Sequence, residues 1–468
     1  MIPIRFGTDG WRAIIAQEFT TDNVARVSKA TADWIKQTSN TPSVVIGHDC
    51  RFAGELFATV AAKVLCGEGI TVYIAKGFVS TPMVSFGAFT LKATAGVVIT
   101  ASHNPPSYNG FKLKSGYGGP TIPEDIAKVE RMIPDTYPIP ETDLETYEKQ
   151  GLLKWVDLEN MYLEHVEKSF DIQAINQSGI RMAYDAMYGA GQRIAQRIFT
   201  NMVTLHCDDN PGFHGQAPEP IHRNLLELSA LIQNDPGIHC GLANDGDADR
   251  IGMYDGEGNF VDSHHIILLL IHYLHKYKNY TGKVVIAFSV SEKVKRLCEY
   301  YQLPYEVTKI GFKYICGKMV TEDVLLGGEE SGGIAVKGHT PERDGIWCGL
   351  LLMEFMAKTG KNLTQLIEEV YAITGSFVFD RNDLHITDAL KNSIMQNCRE
   401  GKYTAFGSYQ VERLEDIDGY KFHLNANSWV MIRASGTEPL LRVYAESPTR
   451  QETDKILETV KSILLSGS

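Results

Sequence analysis

The chain of 468 residues has no basic stretch to set against a formal net charge of −12, with 45 Lys and Arg facing 57 Asp and Glu. That balance excludes nucleic acid as the main partner, because binding a phosphate backbone needs clustered cations. Small anions remain possible, since local Arg, Lys and backbone N–H groups can hold a phosphate on an acidic protein. There is also no Cys-x-x-Cys pair. The eight cysteines (50, 66, 207, 240, 298, 316, 348, 398) are scattered, so neither a zinc site nor a disulfide framework is signalled, and buried, reduced thiols are expected. Long apolar runs are missing too. Those at 266–271 and 350–353 are far too short to span a bilayer, and Met1 to Gly7 lacks the apolar core of a signal peptide. A cytoplasmic protein with no membrane partner is expected.

What is present is an ordinary globular composition, 44% hydrophobic and 22% charged, in a chain too long for one core. At roughly 100–200 residues per domain it implies three or four units. The spacing predicts a strand over 43–47, a helix over 54–65 and a strand over 71–75, a βαβ unit with a parallel pair. A second unit starts near Asp157, with a strand over 181–186, a Gly-rich turn over 187–191 and a helix over 192–199. A third has a strand over 284–290, a helix over 292–301 and a strand over 305–309. The proline-rich run 133–140 reads as exposed. The last segment differs: alternation over 429–433 and 441–446 predicts antiparallel strands around a loop, followed by an amphipathic helix over 451–464, hence α+β.

Four polar loops carry the candidate chemistry. In Gly96 to Pro105 an apolar strand runs into an exposed Ser-His-Asn-Pro turn, with the Ser102 hydroxyl at the strand end. Ser102 is either a turn former or a nucleophile, and a divalent cation on its oxygen would supply the activation it needs. His103 could be its base or a turn hydrogen-bonder, and adjacent side chains diverge on an extended chain. Asp245, Asp247 and Asp249 alternate around Gly246, so three carboxylates can face one hard divalent cation, Mg2+ or a similar ion. A solvated acidic turn and an EF-hand-like calcium loop compete with this, although no bidentate Glu closes a twelve-residue loop. Arg250 beside them either balances charge or stabilises a transferring phosphoryl group. Glu329 and Ser331, in a Gly-flanked loop, suit paired sugar hydroxyls or are incidental turn residues. Arg433, Ser435, Gly436 and Thr437 offer a guanidinium, two hydroxyls and backbone N–H donors for a phosphate that is not itself reacting.

Taken in this order, and with Phe6-Gly7-Thr8-Asp9-Gly10-Trp11-Arg12 at the start, these loops resemble the α-D-phosphohexomutase family, the phosphoglucomutases and phosphomannomutases, over essentially the whole chain. The resemblance implies three related α/β domains with mixed sheets plus a C-terminal α+β domain, and an active site in the central cleft. Their expected extents are 1–150 (phosphoserine), 151–260 (metal), 261–374 (sugar) and 375–468 (phosphate). It implies that Ser102 is carried as a phosphoserine and joins Asp245, Asp247 and Asp249 as a metal ligand. Lys112 in Asn109-Gly110-Phe111-Lys112-Leu113 matches the family's lysine that assists proton transfer, otherwise a solvated surface residue, and Arg12 its arginine near the serine. Lys309-Ile310-Gly311-Phe312-Lys313 resembles the loop of phosphoglucomutases rather than the Gly-His of bifunctional mannose/glucose enzymes, making Lys313 a substrate-binding candidate. Glu-Glu-Ser-Gly-Gly replaces the Glu-Gln-Ser-Gly-His usual in phosphoglucosamine mutases.

The activity these features imply is interconversion of α-D-glucose 1-phosphate and glucose 6-phosphate through phosphoserine and a hexose 1,6-bisphosphate, with Mg2+, by a monomer or homodimer. Mannose and glucosamine phosphates are the alternative substrates. A phosphatase using the same phosphoserine is a rival, since water reaching the intermediate would hydrolyse it. A sugar-phosphate sensor without catalysis would need neither Ser102, the three aspartates nor Lys112.

Overall fold

The computed structural model describes residues 3–7, 9–434 and 440–466. The chain forms two compact units: Met1–Val285 with Gly311–Ile367, and Ile286–Ile310 with Glu368–Ser468.

In the first unit, the first sheet runs in the order Trp11–Ile14, Tyr108–Ser115, Ala95–Ile99, Ser43–His48, Thr71–Ala75, Leu153–Val156. The first two pairings are antiparallel and the other three parallel. The expected βαβ pair is present, joined by the helix Gly54–Gly67. Val44 and Ile46 enter the core shared with that helix and with Thr21–Thr38, while Val45 faces the helix Thr81–Thr90 across Gly87. Helices on both faces explain why these strands read as continuous apolar runs. Thr20 caps Thr21–Thr38, its hydroxyl accepting from Asn23 N–H at 3.3 Å.

The second sheet repeats the plan: Phe260–Val261, Ile251–Tyr254, Cys240–Asn244, Met182–Asp185, Met202–Leu205, antiparallel for two pairings and then parallel for two. In both sheets a buried parallel strand ends in a polar loop and the chain returns antiparallel beside it. Ala95–Ile99 thus delivers Ser102, and Cys240–Asn244 delivers the three aspartates. Further along, Val324–Gly328 and Ile334–Val336 form an antiparallel pair enclosing the Glu329 loop.

The second unit holds an antiparallel sheet, Val378–His385, Leu440–Ser447, Ser428–Ala434, Tyr420–Asn425, Arg413–Glu415. Alternation sends Val430, Ile432, Val443 and Ala445 to a core with the helices Asp388–Arg399 and Arg450–Ser466. Trp429, Met431 and Tyr444 take the opposite face, where Phe288 from the inserted segment packs. The strand predicted over 284–290 stops at Ala287, because Val290 N–H turns back to the Ala287 carbonyl. All eight cysteines are thiols; seven are buried as expected, and Cys207 is half-buried. No helix among the described residues is long and apolar enough to cross a membrane.

Candidate active site

The turn after Ala95–Ile99, expected to be exposed, is exposed at Pro105, half-buried at His103 and Asn104 and buried at Ser102. Ser102 is 1% exposed, because the Asp245 loop packs onto it: a Cβ on Gly246 would lie 2.6 Å from the Ser102 carbonyl oxygen. Only glycine permits that approach. The Ser102 hydroxyl donates to Asp245 Oδ2 at 2.6 Å. His103 does not diverge from it as an extended chain would require. Ser102 is left-handed, with φ of 52°, which leaves His103 Nδ1 3.4 Å from Ser102 Oγ. Burial and then the nearby guanidinium groups of Arg250 and Arg12 hold the His103 pKa well below its usual value, so the ring is neutral.

Asp245, Asp247 and Asp249 are fully buried, with carboxylate oxygens within 4.8 Å of one another. Burial excludes the solvated-turn reading, and flanking antiparallel strands exclude the EF-hand. Each of Asp247 and Asp249 gives one oxygen, Oδ2, to Lys112 Nζ at 2.7 and 3.0 Å. Their Oδ1 atoms are buried and have no hydrogen-bond partner among the described residues. Burial and then the charges of Asp247 and Asp249 push the Asp245 carboxyl well above the usual range. Orphaned oxygens and mutual repulsion in a hard-oxygen set, with the Ser102 hydroxyl alongside, fit a divalent cation such as Mg2+.

Cations surround this acidic cluster. Lys112, on Tyr108–Ser115, is fully buried rather than solvated. Burial opposes its charge, but Asp247, Asp249 and Asp9 outweigh it and keep the pKa above the usual lysine value. Arg250 donates its backbone N–H to Asp245 Oδ1 at 3.0 Å, and its Nε lies 4.0 Å from Asp245 Oδ2. Arg12 reaches the Ser102 turn by donating to Asn104 Oδ1 at 2.7 Å. Asp9, Arg343 and Arg51 are among the members of this network not singled out from the sequence. Asp9 bonds Lys112 at 2.9 Å and also pairs with Arg343, which lies 2.7 Å from Asp249 Oδ2. Arg51 grips the Ser102 loop from behind. Asp9 lies within the Phe6–Arg12 segment, a signal that could have found it; Arg343 and Arg51 lie in none of the segments that carry the resemblance.

The Glu329 loop joins the aspartate loop directly. Ile251 N–H donates to the Gly332 carbonyl at 3.1 Å, and at Gly332, where φ is +86°, a Cβ would meet the Ile251 oxygen at 2.5 Å. Glu329 is buried, accepting from Gly311 N–H at 3.0 Å, with Arg343 Nη1 4.0 Å from its other oxygen. Burial raises its pKa to about 7 despite Arg343. Ser331 is half-buried. Lys313 is half-buried and lines a cavity of about 160 Å³ with Asp9, Gly10 and Thr121. The first unit therefore brings together Ser102, His103, Lys112, Arg12, Arg250, the three aspartates and Glu329. Arg433 belongs to the second unit, where its Nε lies 3.2 Å from Asp418 Oδ1. Ser435, Gly436 and Thr437 lie outside the described residues.

Four family models match in order: phosphoglucomutase/phosphomannomutase alpha/beta/alpha domain I over residues 3–138, domain II over 160–258, domain III over 262–373 and the C-terminal domain over 390–463. The chain belongs to the phosphoglucomutase/phosphomannomutase family. As a member of this α-D-phosphohexomutase family it is a phosphohexomutase, an isomerase acting on hexose phosphates. A crystal structure from Thermus thermophilus, provisionally named a phosphomannomutase, matches with a TM-score of 0.88 and 32% identity, covering 99% of each chain. Phosphoglucosamine mutases of Carboxydothermus hydrogenoformans and Streptococcus mutans are 27% and 28% identical, each over 98% of this chain and 98% of its own length.

Proposed function

We propose that this phosphohexomutase moves a phosphoryl group between O1 and O6 of an α-hexose, with Ser102 as the carrier. The observation that carries this reading is the Ser102 hydroxyl bonded to Asp245 of a buried three-aspartate loop, itself hydrogen-bonded to the Glu329 loop. In the first half-reaction the P–O bond of phosphoserine breaks and a P–O bond to the free sugar hydroxyl forms. The proton of that hydroxyl leaves and Ser102 Oγ regains one. In the second, the hexose 1,6-bisphosphate presents its other phosphate, whose bond to sugar breaks as Ser102 is rephosphorylated. Magnesium on Asp245, Asp247, Asp249 and Ser102 Oγ would neutralise charge on the phosphoryl group in flight.

Lys112 is in its charged form and can deliver a proton at the sugar or serine oxygen, as the family's lysine does. His103, neutral and 3.4 Å from Ser102 Oγ, offers an acceptor. Arg250 and Arg12 add positive charge beside the reacting hydroxyl. Glu329 and Ser331 recognise ring hydroxyls, Lys313 approaches the substrate, and Arg433, Ser435, Gly436 and Thr437 hold the phosphate that is not reacting.

For the sugar, glucosamine phosphates are the first reading, supported by whole-length likeness to two phosphoglucosamine mutases. Glucose phosphates are the second, supported by Gly311-Phe312-Lys313 and by Glu-Glu-Ser-Gly-Gly in the sugar loop. Comparing kcat/KM on the 1-phosphates of glucosamine, glucose and mannose, with magnesium and the matching 1,6-bisphosphate, decides between them. Release of free phosphate instead of a 6-phosphate would mean a phosphatase, and loss of neither activity in Ser102→Ala would end the carrier assignment.

A further inference from the structure

The Ser102 loop is held from behind by one side chain that takes no part in the reaction above. Arg51 is 3% exposed. Its Nη2 donates to the carbonyls of Ser102 and Asn104, both at 2.6 Å, and its Nη1 to those of Pro105 and Tyr108, at 2.9 and 3.0 Å. Four carbonyls within seven residues of chain thus converge on one planar fork. The guanidinium also lies 5.0 Å from the centre of the Phe213 ring, and Asp49 Oδ2 lies 3.4 Å from its Nε.

The other end of the Ser102 residue is held as well. Its N–H donates to Thr100 Oγ1 at 2.9 Å, and that hydroxyl donates to Asp49. Asp49 and Arg51 therefore act as one clamp on the amide and the carbonyl that flank a left-handed serine. A non-glycine residue with φ of 52° is disfavoured on its own and persists where its surroundings over-determine it. Here the conformation aims Oγ at Asp245.

We infer that Arg51 is a positioning residue for phosphoryl transfer: it holds the Ser102 loop in its left-handed form, so that the hydroxyl faces the aspartate loop. This rests on Ser102 being the phosphoryl carrier. Lysine cannot replace it, because an ammonium has three donors on a flexible stem and no rigid fork to reach four carbonyls.

The test compares Arg51→Lys and Arg51→Gly with Ser102→Ala on a hexose 1-phosphate, with thermal melting of each. Arg51→Lys should lose kcat roughly 100-fold, as expected for a reacting group displaced by about 1 Å, with KM within about threefold of wild type. Arg51→Gly should recover part of its kcat in millimolar guanidinium, which a general loss of stability would not allow. A folded Arg51→Lys enzyme with wild-type kcat would overturn the inference, as would Arg51→Gly losing kcat without guanidinium rescue. Should the arginine variants fail to fold, Thr100→Val, which releases the Ser102 N–H and breaks its link through the hydroxyl to Asp49 while leaving Arg51 in place, takes their place: a kcat-specific loss supports the clamp and an unchanged kcat overturns it. An active Ser102→Ala enzyme would instead sink the carrier assignment, while an inactive one beside a fully active Arg51→Lys would sink only the positioning role.

Discussion

Gly246→Ala tests whether contact between the serine and aspartate loops sets the rate. The added methyl would stand 2.6 Å from the Ser102 carbonyl oxygen and 3.1 Å from Pro218 Cγ. Ordinary carbon–oxygen contacts are roughly 3.3–3.6 Å, so the loops must part by roughly 0.7–1 Å. Backbone strain adds nothing, since Gly246 is not among the left-handed positions. The serine side cannot yield freely, because its carbonyl already accepts from Arg51 at 2.6 Å. The aspartate loop therefore retreats from the nucleophile. We expect kcat to fall roughly 100-fold at saturating magnesium, with a stability cost of about 1–3 kcal/mol for overpacking. Steady-state kinetics with a magnesium titration, beside thermal melting, reads both. Gly317→Ala is the control: a Cβ there meets nothing within 4 Å in the helix Phe312–Thr321, and the change should stabilise by up to about 1 kcal/mol. A Gly246→Ala enzyme with kcat within twofold of wild type would refute the argument.

Asp247→Asn keeps the shape but removes one of three negative charges, so magnesium affinity and rate should both fall, with partial rescue by added magnesium; full activity in chelator-treated wild type would remove the metal assignment. Glu446, buried on Leu440–Ser447, has its pKa raised by burial from the ordinary glutamate value of 4.5 to about 7. The folded chain therefore binds this proton more tightly than the unfolded one, and stability is lost as pH rises from 4.5 through 7, by about 3 kcal/mol in all. Glu446→Gln should accordingly stabilise at pH 8 and change little at pH 4.5, and equal melting shifts at both would contradict it. Glu329→Ala should narrow the discrimination between glucose, mannose and glucosamine phosphates, whereas Arg433→Ala should mainly raise KM; unaltered values in either variant would mean the loops have been given the wrong tasks.

The parallel strands and their helices were legible because burial on both faces leaves plain apolar runs, as in Ser43–His48 and Thr71–Ala75. Tyr108–Ser115 was not read as a strand. Its Asn109, Lys112, Lys114 and Ser115 look like a solvated loop, yet all four are buried, the two lysines because Asp247, Asp249 and Glu342, which they face, are buried with them. Polar residues that break the pattern of a strand are what a reaction centre requires, so pattern reading fails where function is built. The same cause hid Asp49 and Arg51, which in the sequence resemble any charged pair before a helix. The aspartate spacing and the Ser102 turn were visible as chemistry, and the family resemblance set them at one metal; what neither loop announced is the close packing across 143 residues that Gly246 permits by approaching a carbonyl.

The segment Ile286–Ile310 leaves the first unit, packs Phe288 against Trp429 and Tyr444, and returns. The polypeptide accordingly passes between the units three times, after Val285, Ile310 and Ile367. No single cut in the gene separates them. A fragment beginning at Glu368 would bare the aromatic face around Trp429, and the complementary fragment would carry Phe288 with nothing to cover it, a recipe for aggregation rather than for two working halves. Shuffling this C-terminal part between relatives therefore demands that Ile286–Ile310 travel with it, so that recombination, natural or engineered, is confined to exchanges that preserve both pieces together.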